Sequence, residues 1–301
     1  MSRIHEALKK AEQDRTMSQP AGRAETTSSV LEVRTDAEAV MANATAMAGA
    51  APAVGMGGES LLARSRETRW APDPKTMLFF GTDEHASGTE EFRTLRSRLY
   101  QVREKQALST LLVTSALPKE GKSFTAANLA QVIVRQHGRR VLLLDADLRN
   151  PQLHNLLGAD PGPGLSEYLR GEVDESSILQ RGPVENLLLI PAGRVGSNPA
   201  ELLSNGRMKT LLNRLLPIFD WIIIDSPPAV PVSDAAILAN YSDGVLLVVR
   251  SSSTPGDAAR RARDEFAGRN VVGVVLNGIT PELSPYVQYY YSAESSAEVN
   301  R

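Results

Sequence analysis

Residues 115–125 read Ser-Ala-Leu-Pro-Lys-Glu-Gly-Lys-Ser-Phe-Thr, between an apolar run, Leu111-Leu112-Val113, and a helical pattern, Ala126-Ala127-Asn128-Leu129-Ala130. A buried strand, a tight loop closing on Gly-Lys-Ser and then a helix form a cradle for phosphate. Gly121 lets the backbone turn so that successive N–H groups converge on an anion. The helix opening near Lys122 adds the positive end of its dipole. Lys122 supplies charge for the outer phosphates of a nucleotide, and the Ser123 hydroxyl supplies a ligand for Mg²⁺. The spacing therefore predicts nucleotide contacts at Pro118, Lys119, Glu120, Gly121, Lys122, Ser123 and Phe124. The consensus loop begins with Gly; Ala116 stands there instead, small but without glycine's backbone freedom.

Around this loop apolar strand patterns fall at 110–114, 141–144, 187–190, 221–224, 244–249 and 271–276. Helical patterns at 123–136, 199–216, 234–239 and 256–267 lie between several of them. Continuous Val/Ile/Leu runs alternating with helices predict an α/β fold of the P-loop NTPase type, a mostly parallel sheet with helices on both faces. Ligands of such sheets bind beyond the carboxyl ends of the strands. The second apolar run ends there in Asp145-Ala146-Asp147-Leu148-Arg149, and another ends in Asp225-Ser226-Pro227-Pro228. Period-2 spacing puts Asp145 and Asp147 on one side while the chain stays extended. Paired anions require a cation or a proton. A lone strand-terminal Asp is ordinarily a turn or cap residue. Three strand ends, one with Gly-Lys-Ser and two with aspartates, predict Mg²⁺ at Ser123, Asp145 and Asp225.

The chain has 301 residues, 42% hydrophobic and 23% charged, as in ordinary globular proteins. A net charge of -2 carries no nucleic-acid signature. Cysteine is absent, which excludes disulfides, Fe–S clusters and thiolate metal sites. His5, His85, His137 and His154 are scattered and suggest no metal cluster. Residues 1–15 are charged throughout, unlike a signal peptide. The uncharged run 41–58 is Ala/Gly-rich and carries Asn43, Thr45 and Pro52, too weakly apolar to span a membrane. A cytoplasmic protein without a membrane span is the expectation.

Four segments follow. Residues 1–15 predict an amphipathic docking helix, with Ser2 as N-cap and Ile4, Ala7, Leu8 and Ala11 on one face. Residues 16–74, rich in Ala, Gly, Ser and Thr, predict a flexible linker. Residues 75–281 form the nucleotide-binding domain and 282–301 a flexible tail. Within the domain, Thr89 predicts an N-cap for a helix over 90–106, with Phe92, Leu95 and Leu99 buried. Glu90, Arg93 and Arg96 recur on an adjacent face, either a solvated row of weak pairs or a subunit contact. Four of the seven tyrosines, Tyr286, Tyr289, Tyr290 and Tyr291, stand in the tail after Pro281 and Pro285. Core tyrosines do not gather in a polar terminal segment; these are sticky contacts or phosphate acceptors.

With these residues in view, the sequence resembles the bacterial tyrosine kinases of exopolysaccharide and capsule synthesis over roughly residues 90–291. The resemblance rests on S-x-x-P-x-E-G-K-S at Ser115 to Ser123, and on D-x-D-x-R at Asp145, Asp147 and Arg149, followed by Pro151 and His154. It rests also on D-x-P-P from Asp225 to Pro228, on Asn198-Pro199-Ala200-Glu201-Leu202-Leu203, on E-x-x-R-x-x-R at Glu90, Arg93 and Arg96, and on the tyrosine cluster. Lys119 departs from the Gly that many members have. The resemblance implies an ATP-dependent protein-tyrosine autokinase with Mg²⁺, centred on Lys122, Asp145 and Asp147. One of the two aspartates would orient or deprotonate the acceptor, and the tail tyrosines would be phosphorylated in trans. It also implies a ring of identical subunits touching through Glu90, Arg93 and Arg96. The opening residues 1–12 are similar to kinases encoded in exosortase-linked polysaccharide loci. Those lack a membrane span, which implies a separate transmembrane activator of the chain-length-determinant type at the inner face of the cell membrane. Four phosphotyrosines would add about 6 to 8 negative charges, large beside a net charge of -2. Two other readings share the fold. A ParA/MinD-type switch ATPase would carry an extra lysine where Leu117 stands, and a non-catalytic scaffold would have no need of Lys122 and three aspartates.

Overall fold

The computed structural model describes residues 56–74, 76–80, 88–136 and 138–279. The expected docking helix 1–15, the linker up to residue 55 and the tyrosine tail 282–301 lie outside these residues. The strands are β1 (Arg66–Glu67), β2 (Thr110–Ser115), β3 (Val141–Asp145), β4 (Gln180–Arg181), β5 (Leu187–Ile190), β6 (Trp221–Asp225), β7 (Gly244–Arg250) and β8 (Val271–Asn277). The helices are α1 (Met56–Ala63), α2 (Thr89–Arg103), α3 (Lys122–Val134), α4 (Leu153–Leu157), α5 (Leu165–Arg170), α6 (Glu175–Ile178), α7 (Pro199–Ser204), α8 (Gly206–Leu215), α9 (Asp234–Ala239) and α10 (Gly256–Asp264).

One sheet runs in the order β1-β4-β5-β3-β6-β2-β7-β8. Every pair is parallel except β4 with β5. Alternate residues of the central strands feed two cores. Leu112, Leu142, Leu144, Ile222, Ile224 and Leu247 pack with Leu169, Leu211 and Leu238 of α5, α8 and α9. Leu111, Val113, Leu143, Ile223, Leu246 and Val248 pack on the other face with Phe92, Leu129 and Ile133 of α2 and α3. Both faces are covered, so the strands need continuous apolar runs rather than alternation.

Register places the site. β6 lies between β2 and β3, with Asp225 opposite Val113 on one side and Asp145 on the other. Helix α3 is buried along nearly its whole length. Its Asn128 accepts the Leu78 N–H at 2.9 Å and donates to the Thr76 carbonyl at 3.0 Å, tying the segment before α2 onto it.

The folded body takes in residues 56–74, which composition had assigned to the linker. Arg66 N–H donates to Leu179 O and Thr68 N–H to Arg181 O, both at 2.9 Å, adding β1 to the sheet. Trp70 is buried and its indole N–H donates to Thr68 Oγ1 at 3.0 Å. Its ring lies where a Cβ on Gly182 would come within 2.2 Å. A two-residue strand has no period, and one tryptophan makes no stripe, so neither was visible in the sequence. Helix α2 begins one residue earlier than expected, after Gly88 at φ 99°, with Thr89 as its first residue. The expected helix 199–216 is two, divided at Asn205, whose side chain accepts the Arg207 N–H at 3.0 Å and caps α8.

Because Trp70 is packed into the folded body, Trp70→Ala should cost about 3 kcal/mol. That lowers the melting temperature by about 6–12 °C, read by circular dichroism. A linker residue would leave it unchanged within about 1 °C.

Candidate nucleotide and phosphoryl-transfer site

The loop after β2 is built from alternating backbone conformations. Lys119 takes φ 66° and Gly121 φ 97°, both left-handed. Such alternation turns successive N–H groups to one side and makes an anion-binding concavity. Glycine would take this conformation at position 119 without strain. At Gly121 a Cβ would stand 2.0 Å from Asn277 Nδ2, so any larger residue would strain the left-handed backbone and push the Asn277 amide off the Glu120 carbonyl it bonds. Ala116 is fully buried and is not among the positive-φ residues, so glycine's freedom is not needed at the loop's start.

Not every expected nucleotide contact faces the concavity. Glu120 is buried; its Oε2 accepts the Leu117 N–H at 2.8 Å and its Oε1 bonds the Thr254 hydroxyl. It braces the loop. Phe124 turns its ring onto Phe92, with centroids 5.9 Å apart. Pro118 and Lys119 are exposed at the tip.

Lys122, 8% exposed, points into the cluster of aspartates. Its Nζ donates to Asp147 Oδ2 at 2.8 Å and to Ser123 Oγ at 3.2 Å, and stands 3.8 Å from Asp225 Oδ1. β3 ends at Asp145, so Asp147 is not placed by strand spacing. Its own N–H donates to Asp145 Oδ1 at 3.2 Å. Its Oδ1 accepts the N–H groups of Arg149 at 3.3 Å and Asn150 at 2.9 Å, a turn that aims Oδ2 at Lys122. Both oxygens of Asp145 are held by backbone, Oδ2 accepting the Leu153 N–H at 3.0 Å. Arg149 forms a fork on buried Asp234 at 2.8 and 2.9 Å, tying this turn to the start of α9.

Asp225 differs from both. It is fully buried, and neither carboxylate oxygen has a partner at good hydrogen-bond geometry, although the Lys122 ammonium at 3.8 Å, the Ser123 hydroxyl and the Ser226 N–H lie beside it. Burial pushes its pKa up to about 6, against the pull of Lys122. Burial, and then the charge of Asp225, push Asp145 well above the carboxylate range. Burial acts to lower the Lys122 pKa, but Asp225 and Asp147 outweigh it and the ammonium is held charged. The cluster is thus one cation facing three carboxyls, with an unfilled demand for positive charge at Asp225. That demand, beside the Ser123 hydroxyl, fits Mg²⁺, which takes one or two protein oxygens and completes its shell with phosphate and water. Among the described residues no group of three or more His, Cys, Asp or Glu forms a metal cage of its own.

Glu90, Arg93 and Arg96 lie on α2, apart from this hydrogen-bond network. Arg93 pairs with Glu90, and Arg96 donates to the Val132 carbonyl at 2.9 Å, near the end of α3. Sequence reasoning missed Asn277, Thr254 and Arg250, which reach the loop from the ends of β7 and β8. Only their position at strand carboxyl ends hinted at them.

Fold and site together define a P-loop nucleotide-binding enzyme. A family model described as an AAA domain matches residues 120–256. The tyrosine-protein kinase YwqD of Bacillus subtilis is 35% identical over 212 residues, covering 70% of this chain and 88% of YwqD. The tyrosine-protein kinase etk of Escherichia coli is 35% identical over 218 residues, 71% of this chain. The chain spans only 30% of that longer relative. The solved kinase domain of Escherichia coli ETK superposes with a TM-score of 0.64, covering 68% of this chain and 82% of that domain at 35% identity. The chain belongs to the bacterial tyrosine-protein kinases. A structure of McdA from Cyanothece, at 22% identity and a TM-score of 0.51 over 64% of this chain and 80% of McdA, shares the fold alone.

The folded Asp225 carboxyl keeps its proton up to about pH 6, whereas an unfolded one releases it near pH 4. The native state therefore binds more protons between these values, and stability falls as pH rises through them. Asp225→Asn removes this cost. Nucleotide-free D225N should melt above wild type at pH 7.5, the difference shrinking as pH falls towards 4, while losing Mg²⁺-dependent stabilisation by ATP. Differential scanning calorimetry across pH reads both.

Proposed function

We propose that this kinase uses ATP and Mg²⁺ to phosphorylate the tyrosines at 286, 289, 290 and 291 of a second copy of itself. The reading extends to control of exopolysaccharide polymerisation or export. The observation that carries it is Lys122, bonded to Asp147 and flanked by Asp225, whose oxygens have no partner at good hydrogen-bond geometry. Lys122 and the loop N–H groups would hold the phosphates. Mg²⁺, held by Ser123 and Asp225, would neutralise charge on the transferring group. A tyrosine hydroxyl has a pKa of about 10 and attacks poorly unaided. Asp147 is the carboxylate aimed into the site, so it takes the role of orienting the hydroxyl and accepting its proton. Asp145, held by two backbone N–H groups, frames the site instead. The tyrosine oxygen bonds to the γ-phosphorus as the bond to the β-phosphate oxygen breaks, and ADP departs.

Ten tail residues reach at most about 33–36 Å, enough to enter a neighbouring site. Ring assembly through Glu90, Arg93 and Arg96 belongs to the same reading. The exposed Glu90–Arg93 pair supports it; Arg96 is turned inward onto α3. Recruitment to the membrane by a separate chain-length-determinant type protein is part of it too. Among the described residues no helix is long and apolar enough to cross a bilayer. The switch-ATPase reading is less favoured. Leu117 replaces that class's extra lysine and packs against the core. The kinase relatives also match at higher identity than McdA.

Phosphosite mapping by mass spectrometry on protein from its native host tests this directly. Phosphate on the tail tyrosines should vanish, by 100-fold or more on the order of a lost transition-state contact, in a Lys122→Met strain. Wild-type enzyme should still phosphorylate the tail of that inactive copy. An unmodified tail in both strains during polysaccharide production would favour the switch ATPase. On gel filtration the phosphorylated form should elute at lower mass, because about 6 to 8 added charges per chain repel one another; identical masses would refute that link.

A further inference from the structure

The phosphate loop is gripped from outside by two strands remote in sequence. Arg250, the last residue of β7, donates from its guanidinium to the Lys119 carbonyl at 3.1 Å. Asn277, the last residue of β8, donates from Nδ2 to the Glu120 carbonyl at 2.9 Å. Thr254, in the turn after β7, accepts the Arg250 N–H at 2.9 Å and bonds the Glu120 carboxylate through its hydroxyl. The two strand ends are themselves joined, since the Ser251 N–H donates to the Asn277 carbonyl at 2.8 Å.

The direction of this grip matters. A trans peptide is planar, with the carbonyl of one residue pointing opposite to the N–H of the next. Drawing the Lys119 carbonyl outward turns the Glu120 N–H inward. Drawing the Glu120 carbonyl outward does the same to the Gly121 N–H. Lys119 is a non-glycine residue at φ 66°, a conformation disfavoured for any residue with a Cβ and kept only where its surroundings impose it. The Arg250 bond to that residue's carbonyl is such an imposition.

We propose that Arg250, Thr254 and Asn277 are positioning residues for the nucleotide: they set the Glu120 and Gly121 N–H groups toward the phosphates without touching the nucleotide. This inference rests on the nucleotide site proposed above. It assigns work to β8, whose Asn277 lies 157 residues from the Glu120 carbonyl it holds.

The test uses the full chain and four proteins: wild type, Thr254→Val, Thr254→Ser and Asn277→Ala. Titration calorimetry with Mg-ATP gives Kd, thermal melts without nucleotide give stability, and steady-state assays separate KM from kcat. T254V and N277A should each weaken binding by about 10- to 100-fold, the range carried by groups that hold a binding residue from behind. Their nucleotide-free melting temperatures should stay within about 3 °C, KM should rise, and kcat at saturation should change little. T254S, which keeps the hydroxyl, should bind within about threefold of wild type. Tight wild-type binding with unchanged Kd in both variants would overturn the inference alone. So would weakened binding that tracks a falling melting temperature and is not rescued by serine. A wild-type chain that binds no ATP would overturn the nucleotide site itself, and this inference with it.

Discussion

A single buried ammonium facing three carboxyls is the constraint on which the structure turns. Lys122, Asp145, Asp147 and Asp225 are all nearly or wholly removed from water. Burying a charge without compensation costs several kcal/mol, and Lys122 compensates only part of this cluster. The shortfall is localised: Asp147 has a 2.8 Å bond from Lys122 and two backbone N–H groups, Asp145 has two backbone N–H groups, and Asp225 has only looser neighbours, the Lys122 ammonium at 3.8 Å and the Ser123 and Ser226 donors beside it. A fold that leaves one carboxylate so placed, next to a phosphate-binding loop, keeps a local demand for positive charge there at the expense of stability. The cost is borne elsewhere, by apolar cores on both sides of the sheet.

The sheet order makes this juxtaposition possible. Inserting β6 between β2 and β3 brings three strand ends side by side, although their residues lie more than a hundred positions apart at the extremes. Parallel pairing sends all three carboxyl ends to one edge. Helix α3 then leaves that edge through the centre of the second core, so its first turn cannot shift without disturbing Leu129 and Ile133. The loop is consequently fixed at both ends and, through Arg250, Thr254 and Asn277, along its outer side.

Much of this was legible residue by residue. The runs at 187–190 and 234–239 became β5 and α9 with the same bounds, because four apolar residues between Asn186 and Pro191, and a short apolar stretch led by Asp, are local signals. The strands ending in Asp145 and Asp225 were found one residue short, since the last residue of each is charged but still in the ladder. Glu120 and Phe124 were grouped with the nucleotide contacts because they belong to the motif. Their side chains face away from the concavity, which depends on partners, Thr254 and Phe92, that spacing cannot reveal. Trp70 was hidden in the same way, its ring packed against Gly182, where a Cβ would collide with it.

The sequence by itself determined the class of fold, the phosphate loop and the identity of the cation and carboxyls, because each is a short-range pattern: continuous apolar runs, Gly-Lys-Ser before a helix, aspartates at strand ends. Only the tertiary structure decided how each carboxylate is held. Asp145 and Asp147 are two residues apart and chemically identical, yet one is tied to the Leu153 N–H and the other aims at Lys122. That division is set by the turn after β3, and the isolation of Asp225 by its neighbours in the sheet. Hydrogen bonds between segments that meet only on folding leave no trace in the order of the residues.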